Sequence, residues 1–114
     1  MKVFVTGALG QLGHDVMNEL NKRGHEAVGS DIVPMTEKGA AYVQMDITDA
    51  HMVEERLNQI KPDAVIHCAA WTAVDAAEEE ENREKVYRIN AEGTKNIAKA
   101  CQNINAKMMY ISTD

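Results

Sequence analysis

The chain opens Met-Lys-Val-Phe-Val-Thr-Gly-Ala-Leu-Gly-Gln-Leu-Gly, an apolar run that drives straight into three glycines, Gly7, Gly10 and Gly13. No other stretch restricts the fold as much. Lys2–Thr6 reads as a buried strand, and Leu12, Val16, Met17 and Leu20 mark one face of a helix from Gln11 to about Lys22. Three glycines in seven residues cost chain entropy unless something must come close to the backbone. Gly7 permits a tight turn, Gly10 lets a diphosphate approach, and Gly13 allows the helix to pack closely on the strand. The helix start at Gln11 and Leu12 offers N–H groups and a partial positive charge to an anion. Eighteen residues after Gly13, Asp31 closes a second strand, Glu26–Ser30. Strand, glycine turn, helix, strand and terminal acid describe a dinucleotide-binding βαβ unit.

A carboxylate at the tip of the second strand accepts hydrogen bonds from both adenosine ribose hydroxyls and repels a 2′-phosphate. No Arg follows Asp31, so the sequence favours NAD(H), with NADP(H) as the second choice. Asp46 and Ile47, just past a short third strand at Tyr42–Met45, read as the adenine flank, one by hydrogen bond and the other by apolar contact. The fourth strand, Ala64–Cys68, runs into Ala69, Ala70, Trp71 and Thr72. Small residues there let a cofactor lie against the backbone, with Trp71 and Thr72 facing the crevice. His67 reads as a core histidine rather than a catalyst. His14, His25 and His51 show no ligand spacing, so no metal site is expected.

The remaining elements keep alternating. Thr48 or Asp49 caps a helix whose apolar positions are Val53, Leu57 and Ile60, ended by Lys61-Pro62. Pro34–Gly39 reads as a loop, and Asp75 and Glu78 have capping-box spacing. A long helix runs from about Asn82 to Gln102, with Val86, Ile89, Gly93, Ile97, Cys101 and Ile104 along one stripe. Asn90 lies on that buried side. Lys107–Ser112 is the fifth strand, and Ser112 and Thr113 end it at the rim where ligands of such sheets bind. A hydroxyl there can hydrogen-bond a substrate carbonyl oxygen as negative charge develops.

Five strands alternating with helices imply one α/β domain over residues 1–114. The expected fold is a Rossmann-type parallel sheet of order 3-2-1-4-5, with helices on both faces and right-handed crossovers. The sixth strand of a complete sheet is missing, which leaves strand five as an open edge. The chain therefore reads as the N-terminal piece of a longer enzyme, and Met108, Met109 and Ile111 on that edge are expected to promote homo-oligomers.

Composition narrows the partners. A formal charge of −6 argues against a nucleic-acid surface, which needs clustered Lys and Arg. No apolar run approaches the roughly 18 residues needed to span a bilayer, so no membrane role is expected. Cys68 and Cys101 form no Cys-x-x-Cys pair and read as two core thiols in a reducing compartment, the cytoplasm.

Thr6 to Gly13 matches Thr-Gly-x-x-Gly-x-x-Gly, the pattern of the extended short-chain dehydrogenase/reductases, which the whole chain resembles. Within that superfamily, Trp71-Thr72-Ala73-Val74-Asp75-Ala76-Ala77-Glu78 and the ending Tyr110-Ile111-Ser112-Thr113-Asp114 resemble the dTDP-4-dehydrorhamnose reductases. The 114 residues correspond to about the first two-fifths of such an enzyme. The resemblance implies cofactor contacts at Gly10, Gln11, Leu12, Asp31, Asp46, Ile47, Ala70, Trp71 and Thr72. It implies substrate contacts at Val74, Thr113 and Asp114, with Thr113 as the hydroxyl of a Ser/Thr-Tyr-Lys catalytic set. The implied reaction is hydride transfer to the C4 ketone of dTDP-4-dehydro-rhamnose, with a tyrosine supplying the proton and a lysine lowering its pKa. Here the sequence departs from the family: Tyr42, Tyr87 and Tyr110 are followed four residues on by Asp46, Ala91 and Asp114, never by Lys. The piece itself is expected to be inactive. Two other readings share its N-terminal half: a sugar-nucleotide epimerase or dehydratase, and a non-catalytic regulatory subunit resembling that of methionine adenosyltransferase.

Overall fold

The computed structural model describes residues 1–32, 41–68 and 80–111. Its elements run β1 (Lys2–Thr6), α1 (Gln11–Lys22), β2 (Glu26–Asp31), β3 (Tyr42–Gln44), α2 (Ala50–Ile60), β4 (Ala64–His67), α3 (Glu80–Ile104) and β5 (Lys107–Tyr110). The strands form one sheet of order β3-β2-β1-β4-β5, with every pairing parallel. This is the expected Rossmann-type arrangement. β1 lies at its centre, which is why Val3–Thr6 is buried without interruption.

Side chains alternate across β1 and so feed two cores. Phe4 points to a cluster with Met45, Val53, Leu57, Val65, Ile97, Ala100 and Cys101, which lies under α2 and α3. Val3, Val5 and Cys68 point the other way and pack with Leu12, Val16, Met17 and Leu20 of α1. The two cysteines are both free and belong to these different clusters, on opposite faces of the sheet.

The helix ends show why each element stops where it does. At the end of α1, Gly24 takes φ 80°, and the N–H groups of Gly24 and His25 return to the carbonyls of Asn21 and Leu20. α3 ends in the same double bond pattern two residues later than expected, because Asn105 adopts φ 62°. α2 cannot do so: Pro62 has no N–H, so only Lys61 closes the turn, onto Leu57 O, at φ 49°. At the start of α2 the cap is Asp49, which accepts from the Met52 N–H, while Thr48 bonds back to Asp46.

Other boundaries shift slightly. β3 and β4 each end one residue earlier than expected, β5 ends at Tyr110, β2 includes Asp31, and α3 begins at Glu80. The loop at Pro34–Gly39, the Asp75/Glu78 cap and the end of strand five at Ser112 lie outside the described residues.

Candidate functional site

The carboxyl ends of the strands carry the site. β1 delivers Thr6 to Gly7, whose φ of 67° is the left-handed conformation that turns the chain toward α1. Two backbone bonds hold this turn: Ala8 N–H donates to Ser30 O at 2.9 Å, and Gly10 N–H donates to Gly7 O at 3.1 Å. Gly13 sits over the turn so closely that an added Cβ would stand 2.7 Å from the Gly7 carbonyl carbon and 2.8 Å from Ala8 Cα. Its packing role is therefore as expected.

Gly10 is different. It has ordinary extended dihedrals, φ −77° and ψ 166°, and an added Cβ would come no nearer than 3.4 Å to its closest neighbour, Gly7 O. Nothing among the described residues demands a glycine here. The space that its missing side chain leaves opens outward, beside the exposed Leu9 and Gln11.

The start of α1 is also uncapped. Gly10 occupies the N-cap position, no side chain accepts from the first turn, and that turn holds no acidic residue. α2, by contrast, has Asp49 at this place. The first N–H groups of α1, at Gln11, Leu12 and Gly13, thus meet the space beside Gly10 with the helix's partial positive charge. The Leu12 side chain turns away into the α1 core.

Asp31 ends β2 next to this turn. Its Oδ2 accepts from the Leu9 N–H at 3.1 Å, and its Oδ1 from the Ile32 N–H at 2.8 Å. The carboxylate therefore belongs to the same small assembly as the glycines, with lone pairs left for further donors. Gln44 Nε2 donates to Ile32 O at 3.0 Å and secures the chain beyond Asp31. The Tyr42 hydroxyl titrates above its usual range, first because it is buried and then because the Asp31 charge is near, with a hydrogen bond to the Asp31 backbone partly offsetting both.

On the other side of β2, Asp46 and Ile47 form the turn between β3 and α2. Asp46 Oδ1 accepts from the Thr48 N–H at 2.9 Å and from its hydroxyl at 2.7 Å. The Ile47 side chain packs into the α2/α3 cluster against Gly93, and its carbonyl accepts from Asn96 Nδ2 at 2.9 Å.

A polar row crosses the sheet at this level: Ser30, Thr6, His67 and Tyr110 are neighbours in register on adjacent strands. Thr6 Oγ1 accepts from the Cys68 N–H at 3.1 Å and lies 2.6 Å from His67 Nδ1. His67 Nε2 lies 3.2 Å from Thr94 Oγ1, so both ring nitrogens are hydrogen-bonded to hydroxyls, one donating and one accepting in the neutral ring. The imidazole is buried, and desolvation lowers its pKa to about 4. His67 is a neutral, hydrogen-bonded core residue, as expected. Ser30 Oγ, beside Thr6, is buried without a partner among the described residues.

Of the expected site residues, the structure places Gly7, Gly10, Gln11, Leu12 and Gly13 on the turn and first helical turn that Asp31 is bonded to, with Asp46 and Ile47 on the turn between β3 and α2. Ala69, Ala70, Trp71, Thr72, Val74, Thr113 and Asp114 lie outside the described residues. Sequence reasoning missed Thr94 and Asn96 as anchors of these turns. The available signal was Gly93: a glycine inside a long helix costs about 1 kcal/mol against alanine and asks for a close neighbour.

Comparison with known proteins places this geometry. The model of the family described as RmlD substrate binding domain matches residues 1–114. The dTDP-4-dehydrorhamnose reductase of Streptomyces griseus is 36% identical over 111 residues, covering 97% of this chain and 33% of that protein. The crystal structure of dTDP-4-dehydrorhamnose reductase from Bacillus anthracis in complex with NADP is 38% identical with a TM-score of 0.77, over 97% of this chain and 35% of that one. The Thermus thermophilus UDP-glucose 4-epimerase complex with NAD is 27% identical with a TM-score of 0.79, over 93% of this chain and 35% of that one. The chain thus spans about a third of the length of the relatives it matches. It belongs to the RmlD substrate binding domain family.

Proposed function

We propose that this chain is the nicotinamide-dinucleotide-binding part of a dTDP-4-dehydrorhamnose reductase. The observation that supports the reading is Gly10, a glycine that nothing among the described residues requires, at the uncapped start of α1 and one residue from the N–H that Asp31 holds. A diphosphate fills the space that a side chain would close. Gln11 and Leu12 donate to it through the backbone, while Gly7 and Gly13 let the turn sit close to the helix.

Asp31 accepts from the adenosine ribose hydroxyls, which favours NAD(H) over NADP(H) because a 2′-phosphate would meet its charge. Asp46 and Ile47 bound the adenine side. Ala69, Ala70, Trp71 and Thr72 are assigned as further cofactor contacts, and Val74, Thr113 and Asp114 as contacts to the nucleotide sugar, with Thr113 as the hydroxyl for its carbonyl oxygen. The bound coenzyme supplies a hydride for the C4 ketone of dTDP-4-dehydro-rhamnose. No tyrosine in these 114 residues has a lysine four positions on, so the chain alone binds without turning over. Among the described residues no helix is long and apolar enough to cross a membrane. The two free, buried thiols support a cytoplasmic setting.

Calorimetric titration of the chain with NADH and NADPH tests the reading. Saturable one-site binding, tighter for NADH, is expected, with no reduction of dTDP-4-dehydro-rhamnose. Absence of binding to both coenzymes overturns it.

A further inference from the structure

One turn of α3 holds the Asp46–Ile47 wall in place. Gly93 lies directly against Ile47: a Cβ added at Gly93 would stand 2.6 Å from Ile47 Cγ1 and 3.1 Å from its Cβ. Three residues on, Asn96 Nδ2 donates to Ile47 O at 2.9 Å. Between them, Thr94 Oγ1 is hydrogen-bonded with His67 Nε2, and His67 is tied in turn to Thr6, the residue before Gly7. A single helical turn therefore contacts the Asp46–Ile47 turn directly and, through buried His67, the end of β1 that leads into the glycine turn.

We propose that the Gly93–Asn96 turn of α3 is a positioning element for the adenine end of the dinucleotide, with Gly93 setting how close the Asp46–Ile47 wall lies to the sheet. The proposal rests on the cofactor reading above and adds residues that do not themselves touch the ligand. Ile47 cannot absorb a methyl at position 93 by changing rotamer alone, because its Cβ is already within 3.1 Å of the added atom. Its side chain is packed in the α2/α3 cluster, and its carbonyl is held by Asn96. Either α3 or the backbone of the turn must give by a few tenths of an ångström, and in the proposed route the turn yields and carries Asp46, the preceding residue, with it. Among the described residues Asp46 is braced within its turn by Thr48 and the Asp49 N–H, and beyond it only by its own N–H, which donates to Met52 Sδ of α2 at 3.5 Å. Displacements on this scale are felt strongly by ligands that need exact placement, about a hundredfold for a full ångström in catalytic sites.

The test is a double-mutant cycle read by NADH affinity on the 114-residue chain, at a temperature where thermal denaturation shows each variant folded. Gly93→Ala is expected to weaken NADH binding by about tenfold. In an Ile47→Ala background the same change is expected to cost less than about twofold, because the added methyl then occupies vacated space. Asn96→Ala, which removes the carbonyl anchor and adds no volume, is expected to weaken NADH by about threefold to tenfold and covers the case in which Gly93→Ala fails to fold. A wild-type chain that binds NADH while Gly93→Ala and Asn96→Ala bind it equally well overturns the proposal alone. A Gly93→Ala loss that persists undiminished beside Ile47→Ala overturns the route through Ile47. A wild-type chain that binds neither NADH nor NADPH overturns the cofactor reading, and this proposal with it.

Discussion

The backbone N–H of Leu9 donates to Oδ2 of Asp31 across 3.1 Å, joining the middle of the glycine turn to the last residue of β2. One carboxylate thus shapes the turn as well as facing the proposed ribose. Replacing Asp31 with Ala removes the ribose acceptor and frees the Leu9 N–H. Hydrogen bonds to a charged group contribute about 1.5–3 kcal/mol each, so NADH affinity should fall by about tenfold to a hundredfold. NADPH, which gains relief from the negative charge, should lose less. Titration of wild type and variant with both coenzymes measures the change in ratio.

Gly10 and Gly13 separate ligand demands from folding demands. Gly10→Ala keeps allowed dihedrals and meets no atom closer than 3.4 Å, so stability should change by less than about 1 kcal/mol while coenzyme binding is lost. Gly13→Ala drives a methyl into the backbone of Gly7 and Ala8 and should cost about 3 kcal/mol or more. Urea denaturation and NADH titration of the two variants give opposite patterns. A Gly10→Ala chain that binds NADH like wild type would count against the diphosphate site.

His67 makes stability depend on pH in a defined window. Its pKa is about 4 when folded, against 6.5 for a free imidazole, so the unfolded chain takes up the proton first. The associated stability is complete above about pH 6.5, declines as pH falls through this range, and levels off below about pH 4. The full amplitude is about 3 kcal/mol. His67→Gln, which cannot protonate, should flatten this part of the profile. Denaturant titrations of both chains from pH 7.5 to 4 read the difference, with carboxylate effects common to both.

How far the sequence alone reaches is clear from these residues. Periodicity and glycine spacing identify β1, the turn and α1 because every determinant lies within about twenty residues. Sheet order follows from chirality rules that hold for any parallel crossover. The partners of His67 do not follow: Thr6 is 61 residues away and meets it through the register of β1 with β4, and Thr94 is 27 away and meets it through the packing of α3 on the sheet. The choice of Asp49 over Thr48 as the α2 cap is settled within the turn itself, since Thr48 is taken by Asp46 two residues earlier. Ile47 reads in sequence as an adenine contact, and its side chain proves to be engaged with Gly93, 46 positions on, across a helix–sheet interface that no local pattern encodes.

Lys61 is a place where the fold accepts local strain. It closes α2 at φ 49° because Pro62 cannot supply the second bond of the usual termination. A left-handed residue with a Cβ costs about 1–2 kcal/mol, and glycine returns part of this in unfolded-state entropy. Lys61→Gly should therefore raise stability by about 0.5–1 kcal/mol. An unchanged or lower denaturation midpoint would show that the Lys61 side chain contributes something else.

The outer strand carries the last prediction. β5 ends the sheet beyond β4, so one side of its backbone has no strand partner among the described residues. Met108 is packed into the α2/α3 cluster and Ile111 into the α1 cluster, which removes two of the three apolar side chains expected to make this edge adhesive. Met109 remains, 60% exposed, next to Tyr110 at 47%. An open edge with exposed apolar side chains is a template for pairing with a second copy, and a charge placed on it opposes that pairing. We expect light scattering to show mass rising with concentration for the wild-type chain. Met109→Lys should remain monomeric over the same range with stability altered by less than about 0.5 kcal/mol, since little packing is lost. A wild-type chain that stays monomeric throughout removes the edge from consideration. A Met109→Lys chain that associates as strongly as wild type locates the contact elsewhere on the surface.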